Sequence, residues 1–287
     1  MKKKILSVIG ISFLVMSCLT LTTTLSSCDS IKKKMASLTG SDELKTDSIV
    51  FHKEADHANV HCYVDYPTDG NELLVNAIQE YINEQLGGTF DGDPNDGQQL
   101  VSVYGEGEWN NLKDEYKDLV ADGEGDWMDD VSFYTDVDIR KVYETEKVVT
   151  YITTTDTYLG GAHGMQSQTG VTFRKSDGRR FGYDMMRQLL SEEFYQETKE
   201  GLRTYFKEAG ADAQTDAELK DWLLTDDDIN SLSHPKADPY MTEKGVEFLY
   251  QPYEIAPYAA GMPSFTLSYQ DIKPFLTIGA QKMVIEL

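Results

Sequence analysis

Three stretches of alternating apolar and polar residues follow one another closely, 131–143, 147–158 and 166–174, and they constrain the fold more than any other feature. Each is rich in Val, Ile, Thr and Tyr, which suit a pleated, half-buried surface. A period of two commits one face of each run to a core. The third run is followed by the turn Lys175-Ser176-Asp177-Gly178. Upstream, residues 49–66 read as one or two strands with Val60, Cys62 and Val64 on one face. Residues 71–86 carry Leu74, Ile78, Ile82 and Leu86 at fourfold spacing, an amphipathic helix that Gly87-Gly88 ends. A second helical region is expected over 100–120, flanked by acidic, glycine-rich loops at 91–97 and 122–126.

Downstream, Asp184 is expected to cap a long helix reaching about residue 209, with Met186, Leu190, Phe194, Leu202 and Phe206 on one face, interrupted by Thr198. Thr215 and Glu218 form a capping box ahead of Leu219, Trp222 and Leu223, and Thr225 with Asp228 offers another. Residues 245–250 and 264–269 read as closing strands. Strands and helices come in blocks rather than in strict alternation, so the expected class is α+β, with mainly antiparallel sheets, packed helices and two modules.

The N-terminus addresses the chain elsewhere than the cytoplasm. Lys2, Lys3 and Lys4 precede an apolar run over 5–19, and Leu25-Ser26-Ser27-Cys28 then supplies a branched residue, two small ones and a thiol. That order suits a lipoprotein signal peptide of residues 1–27, cleaved before a lipidated Cys28. A retained membrane span fits less well, because Ser and Thr dilute the second half and only ~15 residues are strongly apolar. Residues 28–47 read as a flexible tether, 48–130 as an N-terminal α+β module and 131–287 as a C-terminal α+β domain. The expected location is the cell envelope, held by the lipid at the outer membrane of a Gram-negative bacterium.

Charge and cysteine content narrow the choices. The net charge of −23 becomes −26 once the three signal-peptide lysines are lost. Such a surface repels nucleic acid and steers cationic partners towards it. With Cys18 removed and Cys28 lipidated, Cys62 alone remains, so no internal disulfide can form. Cys62 sits in an apolar–polar alternation and reads as a buried, inert thiol.

Four stretches offer chemistry. His57 and His61 are spaced i, i+4, but four residues of strand part them by roughly 13 Å, too far for one ion. Asp91, Asp93 and Asn95 start like a calcium loop, but Asp96 and Ser102 stand where Gly and Glu are needed. Gly160-Gly161-Ala162-His163-Gly164 joins two strands; His163 could act as a base or a ligand, yet no nucleophile or second histidine has a context that pairs with it, which favours a structural histidine fixing a tight strand connection. Pro252-Tyr253-Glu254-Ile255-Ala256-Pro257-Tyr258 is an aromatic loop whose prolines forbid regular pairing, either a core plug or a contact surface. No catalytic residue, cofactor or metal is expected.

Two of these stretches carry a resemblance. Gly160-Gly161-Ala162-His163, followed about ninety residues later by Tyr253-Glu254-Ile255-Ala256-Pro257-Tyr258-Ala259-Ala260-Gly261, resembles the RsiV-type extracellular domain. That domain is also similar to the non-catalytic region of PdaC-type peptidoglycan deacetylases. Residues 71–82 resemble part of the module that commonly precedes it. The resemblance spans residues 48–287 and implies binding of a lysozyme-like muramidase or another cationic envelope protein, as sensor, decoy or inhibitor. The chain has no sigma-binding segment and no deacetylase domain, so only the binding role carries over. Gly160, Gly161, His163, Pro252, Tyr253, Pro257 and Tyr258 are the candidate contacts. An envelope hydrolase using His163 and a purely structural envelope protein are the competing readings.

Overall fold

A computed structural model describes residues 43–121, 131–224 and 228–284. The segment expected as signal peptide, Cys18, Cys28, the loop at 122–126 and Thr225 lie outside the described residues. The architecture is α+β, a five-stranded sheet and a three-stranded sheet packed with helices.

Residues 49–66 belong to two strands, β1 (Lys45–Ala55) and β2 (Ala58–Asp69). They form a hairpin turned by Asp56 and His57, both at positive φ (51° and 64°). Strand β1 starts inside the segment expected as tether, and Leu44 before it is already buried. From β2 the chain passes through α1 (Glu72–Gln85) and α2 (Gly97–Ala121) before β3 (Phe133–Glu144), which lies parallel to β2. A parallel pair needs such a crossover. Strands β4 (Val148–Tyr158) and β5 (Met165–Arg174) then add antiparallel, giving the order β1-β2-β3-β4-β5. The boundary expected at 130/131 therefore falls between two strands that pair directly.

Helix α1 is capped by Asn71, whose side chain accepts from the Leu73 N–H at 2.9 Å, and it ends where expected, with the Gly88 N–H on the Asn83 carbonyl at 2.7 Å. It lays Leu74, Ile78 and Ile82 on Cys62, Val64, Val137, Ile139, Val149, Tyr151 and Phe173 of the sheet. Cys62 is fully buried, and that burial pushes its thiol up to about 12, as an inert thiol requires. The acidic loop at 91–97 is spent on turns: Asp93 accepts from the Asn95 backbone N–H at 2.9 Å, and Asp96 caps α2 through the Gln99 N–H at 2.9 Å. His57 stacks on Tyr116 with centroids 4.4 Å apart and donates from Nδ1 to the Val131 carbonyl at 3.1 Å. His61 instead bonds Asp136 at 3.0 Å.

The remainder packs on the opposite face and outer edge of β4 and β5. The long helix begins later than expected. Ser191, not Asp184, caps α3 (Glu192–Glu208), accepting from the Phe194 N–H at 3.2 Å. Tertiary pairing wins over local capping here: Met186 forms a β-bridge with Leu276, the Arg187 N–H reaches the Phe275 carbonyl, and Gln188 takes a positive φ of 58°. Leu190 is consequently 78% exposed, while Phe194, Thr198, Leu202 and Phe206 form the buried stripe. Thr215 and Glu218 do make the capping box of α4 (Asp216–Asp221). The closing strands are β7 (Val246–Leu249) and β8 (Ser264–Leu267), preceded by the two-residue β6 (Tyr240–Met241). Tyr269 opens a short helix α5 (Tyr269–Ile272) rather than ending a strand, and α6 (Ile278–Gln281) completes the described chain. No described helix is long and apolar enough to cross a membrane.

Candidate binding surface

The two sequence stretches meet. His163 leads into β5 and lies against Tyr258, ring centroids 4.2 Å apart and planes 16° from parallel. Tyr258 stacks in turn on Tyr253, at 5.6 Å and 28°. The Gly164 carbonyl accepts from both His163 Nδ1 (2.7 Å) and the Tyr258 hydroxyl (2.8 Å), so one backbone oxygen orients two rings from distant segments. Gly164 is needed there, because a Cβ would stand 2.9 Å from the Thr157 carbonyl and 3.0 Å from the Tyr134 hydroxyl. Gly160 and Gly161 turn the chain with φ of 89° and 99°, and the Tyr158 hydroxyl donates to the Gly161 carbonyl at 2.9 Å.

The loop from Gln251 to Gly261 plugs the core with its middle residues and leaves Tyr253 and Pro257 exposed. Ile255 and Ala256 are buried, and the Leu224 N–H donates to the Ile255 carbonyl at 2.8 Å. Pro252 and Tyr253 occupy the centre of a turn closed by the Glu254 N–H on the Gln251 carbonyl at 3.0 Å. Tyr253 takes the position where such turns favour glycine, at φ 65°, and is 52% exposed. A tyrosine in that conformation costs ~1 kcal/mol or more, strain that persists only where the surrounding structure over-determines it. Pro257 is exposed and starts the single turn Tyr258–Ala260, whose last carbonyl accepts from the Tyr205 hydroxyl at 2.7 Å.

Several residues of this surface lie outside the sequence motifs. Gln251 fastens the loop to β5 as a missing strand would, donating to the Gln168 carbonyl at 2.7 Å and accepting from the Gln168 N–H at 3.3 Å. Tyr134 and Tyr158 stack at 6.1 Å beneath the glycine turn, and the Tyr134 hydroxyl donates to Asp156 at 3.1 Å. Partial burial and then the Asp156 carboxylate push the Tyr134 phenol up. Their only sequence signal was position: Tyr134 and Asp156 fall on the polar face of alternating runs.

From Asp156 a polar row crosses the open face of the sheet. The register sets Asp156 opposite Asp136, Asp136 opposite His61, and His61 opposite His52. Asp138 sits two residues further along β3 on the same face, paired with Arg140 at 2.9 Å, and Arg140 covers the Tyr63 ring at 3.9 Å. Aromatic faces thus border a carboxylate-rich sheet surface, an arrangement suited to holding a cationic, partly apolar protein surface. Among the described residues no three His, Cys, Asp or Glu side chains are grouped to hold a metal ion.

Comparison with known proteins agrees on the fold and is silent on activity. Residues 185–270 match a family described as "Protein of unknown function (DUF3298)". That span includes Tyr253 and Tyr258 but not Gly160 or His163. No curated protein matches the chain. A crystallised DUF3298 family member from Bacteroides fragilis is 21% identical, with a TM-score of 0.66 over 82% of this chain and 96% of that one. A DUF3298 family protein from Pseudomonas aeruginosa is 13% identical, with a TM-score of 0.53 over 83% and 96%. At these identities the likeness establishes the fold, and the chain joins a DUF3298 match over residues 185–270 to the architecture of two DUF3298 family proteins.

Proposed function

We propose that this chain is an envelope-anchored binding module, exported, lipidated at Cys28, and directed at a lysozyme-like muramidase or a similarly cationic envelope protein. The observation that carries the reading is the stacked series His163–Tyr258–Tyr253, set from two segments on one carbonyl, half exposed and bordered by Asp156 and Asp136. Large, rigid rings are the side chains that anchor interfaces at low entropic cost. The strong negative charge supplies long-range steering. The resemblance to RsiV-type extracellular domains names the muramidase.

Association and affinity separate in this reading. Titrating the detergent-solubilised protein with lysozyme should give fast association that slows as salt shortens the Debye length to ~8 Å at physiological ionic strength. Tyr258→Ala and Tyr253→Ala should each cost ~2 kcal/mol, about thirtyfold in affinity, through faster dissociation. Thermal melting of the same samples distinguishes a contact from a packing role. No binding by the wild type at low salt eliminates lysozyme, and unchanged affinity in a folded double variant removes the aromatic loop from the interface.

A further inference from the structure

Strand β1 is the outermost of the five-stranded sheet, and among the described residues nothing pairs with its outer edge. The other edge differs, because Phe173 of β5 bridges to Arg180 and Gln251 occupies Gln168. An uncovered edge of 11 residues is a template for another strand, and the order of residues in β1 specifies which.

The direction of the free backbone groups follows from the hairpin. Ala55 and Ala58 flank a two-residue turn and so exchange hydrogen bonds. Alternation then commits Ala55, Lys53, Phe51, Ile49 and Asp47 to β2, and turns the N–H and C=O of Thr46, Ser48, Val50, His52 and Glu54 outward. Val50 is the midpoint of that outward series and is 51% exposed. Opposed residues in an antiparallel pair share a face, so a symmetric partner strand centred on Val50 sets Val50 against Val50 and Ser48 against His52. On the other face it sets Ile49 against Phe51 and Asp47 against Lys53, at both ends.

Register selects this arrangement. Moving the two-fold axis from Val50 to Ile49 brings Lys45 opposite Lys53, and moving it to Phe51 leaves Asp47 opposite Ala55. Of these three pairings only the Val50-centred one makes, within β1, two opposite-charge contacts, which directly opposed cross-strand residues reward. Lys53 is already held at the edge, 2.5 Å from Glu106 and 3.6 Å above the Trp109 ring. We propose that two copies of the chain join β1 to β1 about a two-fold axis at Val50, merging their sheets into one continuous sheet. The interface is self-complementary, as a closed two-fold dimer requires. The aromatic loops lie at β4 and β5, away from the joined edge, and the open faces would run on continuously, so the dimer would present two copies of the proposed binding surface.

The net charge of −23 opposes the approach of like copies at long range. The contact is therefore expected at physiological ionic strength, where that repulsion is screened beyond ~8 Å. Sedimentation equilibrium of the exported, lipidated protein in a density-matched detergent should give twice the mass of the single mature chain. Val50→Lys places two ammonium groups on the axis and should return the monomer mass, with circular dichroism and melting temperature unchanged. Under mild oxidation Val50→Cys should give a disulfide-linked dimer, since directly opposed strand residues lie ~5.5 Å apart at Cα, within disulfide reach. Thr46→Cys and Glu54→Cys should crosslink only when mixed with each other; the parent chain, with its own cysteines, is the control. A monomeric wild type, a dimer that survives Val50→Lys, or crosslinking by Thr46→Cys alone as readily as by Val50→Cys overturns the proposal.

Discussion

The stretch from β1 to β5 and the stretch from Phe181 to Val284 are both built on buried rings, yet different interactions hold them. In the first, the four ladders run for seven pairs or more, so backbone pairing sets where each side chain points. In the second, the ladders run for two and four pairs, and order comes from side chains. Phe248 stacks on Phe265 at 4.8 Å, and Phe194 meets Phe248 and Phe275 edge-on at 5.6 and 5.2 Å. Tyrosine hydroxyls then tie irregular backbone in place: Tyr250 to the Ser233 carbonyl and Tyr269 to the Thr242 carbonyl, both at 2.6 Å. The contrast teaches that the aromatic loop inherits its shape from a few long-range side-chain contacts, while His163 inherits its own from a regular sheet.

Cutting the aromatic cluster should have the largest effect. Phe248→Ala empties a fully buried site and should cost ~4 kcal/mol. Hydrogen exchange should show amides of β7 and β8 losing protection before those of β2 and β3; equal loss in both would erase the distinction between the two regions.

The sheet has its own weak point where the described chain begins. Glu144 accepts from Lys175 at 2.7 Å, Lys141 at 2.9 Å and the Leu44 N–H at 3.1 Å, tying the start of β1 to the β3–β4 and β5 ends. Burial by itself would raise the Glu144 carboxyl, but these three donors together hold it below its usual range. A carboxyl lowered by folding stabilises above its unfolded pKa, and that contribution is lost as pH falls through the folded value. Glu144→Gln leaves the buried Lys175 without its anion and should cost ~3 kcal/mol at neutral pH. The variant should also lose part of the wild-type decline in stability below about pH 4.5. An acid limb identical to the wild type's would assign that decline to other carboxylates.

Two smaller changes should run the other way. The Tyr151 hydroxyl is buried beneath α1 without a hydrogen-bond partner among the described residues. Tyr151→Phe removes an unsatisfied group and should raise stability by ~1 kcal/mol in urea titration, with a lower midpoint pointing to a bound water. Tyr253→Gly relieves the left-handed backbone but loosens the unfolded chain, a net gain of about 0.5 kcal/mol. The same variant should bind lysozyme at least tenfold more weakly. Stability and affinity moving together would mean that the strain at Tyr253 serves packing alone.

Legibility followed the same division. The three alternating runs, the α1 stripe and its Gly87-Gly88 stop, and the Thr215–Glu218 box all rest on interactions within a few residues, and all appear in the fold. The start of α3 does not, because a strand bridge from Met186 to Leu276, ninety residues away, outbids a local cap at Asp184. Strand β6 was invisible for a related reason: its two residues pair with β7, and Thr172 and Thr150 from distant strands bond Met241 at 2.7 and 2.8 Å.

The candidate surface divides along that line too. Residue chemistry marked out the two stretches that hold Gly160, Gly161, His163, Pro252, Tyr253, Pro257 and Tyr258, since glycine turns and proline-broken aromatic runs announce irregular backbone wherever they occur; the family resemblance made these residues candidate contacts. That both stretches share the Gly164 carbonyl, that Gln251 stands in for a strand beside β5, and that Asp156, Asp136 and His61 line up across three strands was decided by tertiary structure. Local sequence sets conformational preference over a few residues. Which distant residues become neighbours depends on sheet register and core packing, and these are settled only when the whole chain has closed.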